Sequence, residues 1–241
     1  MFGKMQRGIA ELVRVEKSPS GKVALLEFCV AEKFAFREGQ FVMLEARGVR
    51  RAYSIASPAW MMAEKNLFQT IVKEVEGGEL SPFLTGEIAV GDAVARMGPA
   101  GHFVLPENPG KILLVSVGSG YSPMHGFLQG FAREFAEGKF EKKVVHIFGE
   151  RFAADLVVGQ QEIFAETAEF VEHRLFLSRE ENLPAGWVRG RVQLGVADFL
   201  SEFDGAVDTA LLCGLPAMVD EVRALLLESG WDPARILFEK Y

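Results

Sequence analysis

The segment Leu113-Leu114-Val115-Ser116-Val117-Gly118-Ser119-Gly120-Tyr121-Ser122-Pro123 constrains the fold of this chain more than any other. Its apolar run suits one buried strand and stops at Gly118. Met124, Phe127, Leu128, Phe131 and Phe135 then recur at helical spacing. Ser122 is placed to cap that helix and Pro123 to take its first position. Gly120 would let backbone approach a ligand. A strand, a glycine turn and a helix start aim free N–H groups and a positive dipole end at whatever lies above the turn, which favours a phosphate. The local pattern leaves alternatives open. Pro123 stands where a GxGxxG fingerprint needs its third glycine. Gly120-Tyr121-Ser122-Pro123-Met124 lacks the last glycine of a GxSxG elbow. An ordinary strand–helix turn remains as good a reading.

The 241 residues suffice for one large domain or two small ones. No apolar run has membrane-spanning length, and Met1 to Arg7 lack a signal-peptide core, so no membrane span is expected. A net charge of −7 argues against nucleic acid as a partner. That charge is uneven. Up to Leu105 there are 13 basic and 12 acidic residues, and beyond it 13 basic and 21 acidic. The acidic excess reads as a solvated surface on the second half. Cys29 and Cys213 lie far apart without metal-ligand spacing, so no metal site is expected and a reducing cytoplasm is the simplest home. Four scattered histidines (102, 125, 146 and 173) complete no hydrolase triad.

The two halves follow different patterns. Up to Leu105, short strands are predicted at Val23 to Phe28, Phe41 to Glu45, Arg51 to Ala56, Phe68 to Lys73 and Ala93 to Met97. Gly39, Gly48, Gly91 and Gly101 punctuate them, which suggests an antiparallel barrel or sandwich. After residues 106–110, a Pro/Gly linker, buried-type strands at Ile112 to Val117, Val144 to Phe148, His173 to Leu177 and Thr209 to Cys213 alternate with helices. One helix presents Met218, Val222, Leu225 and Leu226. This is a βαβ pattern with a parallel sheet. Two domains are expected, 1–105 as an antiparallel β-barrel and 111–241 as an α/β domain. Ligands of such α/β sheets sit at the carboxyl ends of strands, where Gly118, Gly149 and Cys213-Gly214 would converge.

Five motifs now occur in one order: Arg51-Ala52-Tyr53-Ser54, Gly78-Glu79-Leu80-Ser81, Gly98-Pro99-Ala100-Gly101-His102-Phe103, Gly118-Ser119-Gly120-Tyr121-Ser122-Pro123 and Cys213-Gly214-Leu215-Pro216-Ala217-Met218. They resemble the RxYS, GxxS, GPxGxF, GxGxxP and CGxxxM motifs of the ferredoxin–NADP reductase superfamily of flavin-dependent oxidoreductases. The resemblance covers nearly the whole chain and accounts for Pro123. It implies an FAD-binding barrel and an NAD(P)-binding α/β domain. Arg51 would contact the flavin pyrophosphate and Tyr53 one face of the flavin ring. Ser81 would cap a helix, with Pro82 at its first position, as a second anion site. Gly78, Leu80 and Ala52 complete the expected flavin set. Ser54 would lie near flavin N5, Cys213 on the nicotinamide side, and Glu239 would tune or relay protons. The last residue, Tyr241, fits the terminal aromatic of plant-type members, which stacks on the flavin and moves aside for nicotinamide.

The resemblance places the nucleotide at Gly118, Ser119, Gly120, Pro123, Cys213, Gly214 and Met218. Ser178-Arg179-Glu180 resembles the 2′-phosphate site, with Arg191 and the ambiguous Arg151 nearby. That resemblance favours NADP, while the missing plant-type tyrosine downstream leaves NAD open. The implied activity is hydride transfer between NAD(P)H and FAD, with ferredoxin or flavodoxin as external electron partner. Three other readings remain: a flavin reductase, a reductase subunit of an oxygenase or larger redox complex, and a non-catalytic flavin-binding sensor or assembly subunit.

Overall fold

A computed structural model describes residues 5–241; the reading of Met1 to Lys4 lies outside the described residues. The chain divides into two compact units. Among the described residues, the first contains 5–104 with 122–131 and 154–163; the second contains 105–121, 132–153 and 164–241.

The first unit is built on β1 (Gln6–Lys17), β2 (Val23–Val30), β3 (Phe41–Ala46), β4 (Val49–Ser54), β5 (Leu67–Lys73) and β6 (Ala93–Ala100). They form one antiparallel sheet in the order β4-β3-β6-β1-β2-β5. Period-two alternation buries Ala10 and Leu12, Ala24, Leu26, Phe28 and Val30, Val42 and Leu44, and Phe68 and Val72 in a common core. The expected barrel is thus a curled six-stranded sheet with two edge strands, β4 and β5. Its edges are joined just past β4, where the Ala56 N–H donates to the Gln69 carbonyl at 2.7 Å.

Two elements here escape sequence reading. β1 is one: seven of its twelve residues are exposed, so its apolar signal is thin. A short helix, α1 (Ala59–Lys65), is the other; Asn66 ends it in the left-handed conformation at φ 59°.

The second unit contains β7 (Ile112–Val117), β8 (Val144–Glu150), β9 (Val171–Leu177), β10 (Trp187–Arg189), β11 (Thr209–Gly214) and β12 (Ile236–Lys240). All are parallel, in the order β10-β9-β8-β7-β11-β12. Helices α2 (Tyr121–Ala136), α3 (Val158–Thr167), α4 (Val192–Phe199) and α5 (Pro216–Glu228) lie between strands in sequence. Strand order reverses between β7 and β11. Ligands of open parallel sheets bind at such a switch point. Leu113, Val115, Ile147, Leu212, Met218, Val222 and Leu226 belong to its core, as patterned, whereas Leu225 is only half-buried. β10 and β12 are the edge strands and are not legible in the sequence; three and five residues carry too little periodicity. Among the described residues no helix is long and apolar enough to cross a membrane.

Candidate active site

In the first unit, β4 presents Arg51, Ala52, Tyr53 and Ser54 in succession. Arg51 and Ala52 are exposed, Tyr53 is half-buried and Ser54 is buried. Arg51 Nη2 pairs with Glu79 Oε2 at 3.0 Å, and Nη1 donates to the Arg50 carbonyl at 2.8 Å. The RxYS and GxxS motifs therefore meet. An exposed pair of this kind contributes little stability, so a phosphate can displace Glu79 from Arg51 at small cost. Burial pushes the Tyr53 phenol up to about 12 against the opposing pull of Arg51. The ring packs beside the core with its hydroxyl protonated at neutral pH.

Two expectations for the GxxS turn need correction. Leu80 is 2% exposed and its side chain belongs to the core, leaving only its backbone to face a ligand. Ser81 does not cap. Its Oγ accepts the Val75 N–H at 3.0 Å, while its carbonyl accepts the Thr85 hydroxyl at 2.9 Å. Chain reversal at Gly77, with φ 72°, brings the Val75 N–H to that hydroxyl before the helical turn can claim it. A Cβ at Gly78 would stand 2.9 Å from the Val75 carbonyl oxygen and 3.1 Å from Ser81 Oγ, so this turn requires glycine.

Ser122 is corrected in the same sense. Helix α2 begins at Tyr121 with no side-chain cap, after a 3-10 turn over Gly118–Gly120. Ser122 Oγ instead donates to the Ser54 carbonyl at 2.9 Å and accepts the Ile71 N–H at 3.2 Å. Pro123 sits inside the first helical turn, where its missing N–H costs no helical bond. Further along α2, Gln129 Nε2 donates to the Ala56 carbonyl at 3.1 Å and lies 3.3 Å from Gln69 Oε1. A Cβ at Gly126 would lie 3.1 Å from the Ser57 carbonyl oxygen. Ser122, Gly126 and Gln129 recur at helical spacing. This small-or-polar stripe was the available signal, and the apolar face of α2 masked it.

In the second unit, the turns after β7 and β11 interlock. A Cβ at Gly120 would overlap the Cys213 carbonyl and stand 2.8 Å from the Gly214 Cα; one at Gly214 would stand 2.7 Å from Val117 Cγ2. What Gly120 lets approach is therefore the end of β11, and not directly a ligand. Ser119 is half-buried at this turn. Met218, 5% exposed, is a core side chain beneath Gly214.

Cys213, Glu239 and Tyr241 gather at the ends of β11 and β12. Cys213 pairs with Glu239 in the parallel register. Its thiol donates to the Tyr241 hydroxyl oxygen at 3.1 Å, and the Tyr241 N–H donates to the Gly214 carbonyl at 3.2 Å. Burial pushes the Cys213 thiol well up, so it is not a thiolate nucleophile. Burial also raises the Glu239 carboxyl to about 7, which lets it hold or release a proton near neutrality.

A third cluster lies at the ends of β8 and β9. The Ser178 N–H donates to the Glu150 carbonyl and the Arg179 N–H to the Arg151 carbonyl, each at 3.0 Å. Glu180 Oε2 accepts the Ala153 N–H at 3.0 Å and neutralises neither arginine. Arg151, Ser178, Arg179 and Arg191 are exposed. Among the described residues the three guanidiniums have no ion pair. Unneutralised arginines beside a hydroxyl form a donor set for a phosphate dianion. The Arg51 pair with the half-buried Tyr53 ring equally fits a flavin diphosphate and ring. Among the described residues no group of three or more His, Cys, Asp or Glu could hold a metal ion.

Two family models match this chain. Residues 11–105 match the family described as oxidoreductase FAD-binding domain, and 114–224 the one described as oxidoreductase NAD-binding domain. The toluate 1,2-dioxygenase electron transfer component of Pseudomonas putida is 28% identical over 238 residues, covering 96% of this chain and 67% of that protein. Three other curated relatives are spanned over only 54% to 60% of their length. The solved cytochrome P450 reductase GcoB of Amycolatopsis superposes with a TM-score of 0.81 at 27% identity, over all of this chain and 71% of that one. A Neisseria gonorrhoeae ferredoxin NADP+ reductase, solved with FAD and NADP, shares the fold. Its TM-score is 0.80 at 20% identity, over 97% of this chain and 98% of that one.

Proposed function

Because the chain belongs to the ferredoxin–NADP reductase superfamily of flavin-dependent oxidoreductases, we propose that it passes electrons between NADPH and an external ferredoxin or flavodoxin. Bound FAD supplies a centre that accepts a hydride and releases electrons singly or in pairs. The residues up to Leu105 hold the FAD and residues 111–241 the nucleotide. Arg51, the Gly78–Ser81 turn and Ala52 receive the flavin phosphates, Tyr53 lies on the ring, and Ser54 donates a hydrogen bond to it. The turn at Gly118, Ser119 and Gly120, ahead of Pro123, receives the nucleotide diphosphate. Cys213 and Gly214 border the nicotinamide, with Met218 packed beneath them. Glu239 holds a proton near the reacting atoms, and Tyr241 covers this position until nucleotide displaces it.

The observation that carries the choice of NADP is the group of unpaired guanidiniums of Arg151, Arg179 and Arg191 beside Ser178. A second reading, a reductase that feeds an oxygenase, is favoured by the name of the Pseudomonas putida relative. Both readings place the protein in the cytoplasm, in keeping with two free thiols, Cys29 and Cys213.

The test is anaerobic titration of the FAD-loaded protein with NADPH and then NADH, followed by turnover with ferredoxin, flavodoxin and an oxygenase component. Bleaching of the flavin band preferentially by NADPH is expected. Preference for NADH would discard the 2′-phosphate assignment, and binding of flavin without bleaching would move the non-catalytic reading ahead.

A further inference from the structure

The edge strands β4 and β5 share no strand ladder among the described residues. Isolated bonds join them instead. The Ala56 N–H donates to the Gln69 carbonyl at 2.7 Å, and the Gln69 N–H to Ser57 Oγ at 3.0 Å. Next along the seam the backbones no longer meet. There a single hydroxyl, Ser122 Oγ, stands between the Ser54 carbonyl at 2.9 Å and the Ile71 N–H at 3.2 Å. Ser122 is 2% exposed, Ser54 5% and Ile71 4%, so water cannot readily replace the bond. Ser122 both donates and accepts, as only a hydroxyl on a short side chain can in this space.

We propose that Ser122 is a positioning residue for the flavin-contact end of β4. By holding the Ser54 peptide against β5 it sets where the Ser54 hydroxyl and the Tyr53 ring stand. Without it, the Ile71 N–H loses its Ser122 acceptor in the interior, the Ser54 carbonyl loses the Ser122 donor, and the end of β4 loses this tie to β5. The inference rests on the reading of Ser54 and Tyr53 as flavin contacts.

Ser122→Ala and Ser122→Thr test it in the FAD-loaded protein. In Ser122→Ala, amide exchange at Ile71 should quicken about tenfold and FAD should bind about tenfold more weakly. The kcat should fall with the KM for NADPH unchanged, because the residue acts on orientation and makes no contact with the nucleotide. Ser122→Thr, which keeps the hydroxyl, should restore all three. Faster Ile71 exchange with unaltered FAD affinity and kcat would make Ser122 a seam residue only and overturn the proposal. So would unchanged exchange. If Ser122→Ala does not fold, Ser122→Cys, nearly isosteric with a weaker hydrogen bond, carries the same comparison. Failure of the unaltered protein to take up FAD would instead refute the proposed function itself. Uptake with no effect of the substitution refutes only the role of Ser122.

Discussion

The thiol of Cys213 donates a hydrogen bond to the hydroxyl oxygen of Tyr241, 28 residues later, at 3.1 Å. With the Tyr241 N–H on the Gly214 carbonyl, this fixes the last residue in two places although half of its surface is exposed. Tyr241→Ala should therefore change NADPH affinity or the NADPH/NADH preference. Tyr241→Phe, which removes only the acceptor of a weak donor, should cost about 1 kcal/mol or less of stability. Steady-state kinetics and urea unfolding check both, and unchanged kinetics in Tyr241→Ala would remove the residue from the site.

The buried, strongly raised thiol of Cys213 should not react with a disulfide reagent at pH 8, whereas half-exposed Cys29 is accessible. One thiol per native chain, and two after denaturation, is the expected titration. Rapid reaction of both in the native protein would contradict the packing at β11.

The ionisation of Glu239 gives a pH signature. Its folded pKa of about 7 lies above the ordinary carboxylate value, so the folded chain holds a proton that the unfolded chain has released. Its contribution to stability is present below about 4.5 and is lost as pH rises to about 7. Glu239→Gln should abolish this slope and also remove a step near pH 7 from the kcat profile. A step that survives the substitution belongs to another group.

The partly buried His173 acts in the opposite direction. His146 and His173 face each other through their Nδ1 atoms at 3.0 Å, and His173 Nε2 lies 2.9 Å from Thr167 Oγ1. Burial lowers His173 to about 4, so the unfolded chain takes up a proton first. Stability should fall as pH drops from about 6.5 towards 4. Glu239 counteracts this over part of the same window. The measurable quantity is therefore the difference in urea midpoint between the unaltered protein and His173→Asn across pH, which should narrow towards pH 4.

If the proposed 2′-phosphate site is right, removing the guanidinium of Arg151 or of Arg179 should reduce kcat/KM for NADPH about 10- to 100-fold and leave NADH nearly untouched, since a charged hydrogen bond contributes about 1.5–3 kcal/mol. Arg151→Ala and Arg179→Ala are the variants to compare. Equal losses with both nucleotides would relocate the phosphate.

Much of this protein is legible along the chain because burial imposes a period. Short strand-like runs set off by turn residues mark β2, β3 and β5, and continuous apolar runs mark β7, β8 and β11, since a strand inside a parallel sheet is covered on both faces. The resemblance groups Arg51 with the Gly78–Ser81 turn and Cys213 with Glu239 and Tyr241, and the structure brings Arg51 to Glu79 of that turn and Cys213 to Glu239 and Tyr241. Short edge strands such as β10 and β12 leave no such period. Their pairing is settled by the neighbouring strand's backbone, which no local pattern records.

The residues by themselves determined an antiparallel half, a parallel half, and a glycine turn at the end of a buried strand. Only the tertiary structure decided what the small residues at those turns do. Ser81 and Ser122 have the local look of helix caps, yet the N–H of Val75 in the preceding turn takes the first hydroxyl and that of buried Ile71, 51 residues away, takes the second. Gly120 has the look of a ligand contact, yet its bareness is consumed by the Cys213 carbonyl. A hydroxyl or a missing Cβ can serve any partner brought close to it, and which partner arrives is set by the path of the folded chain.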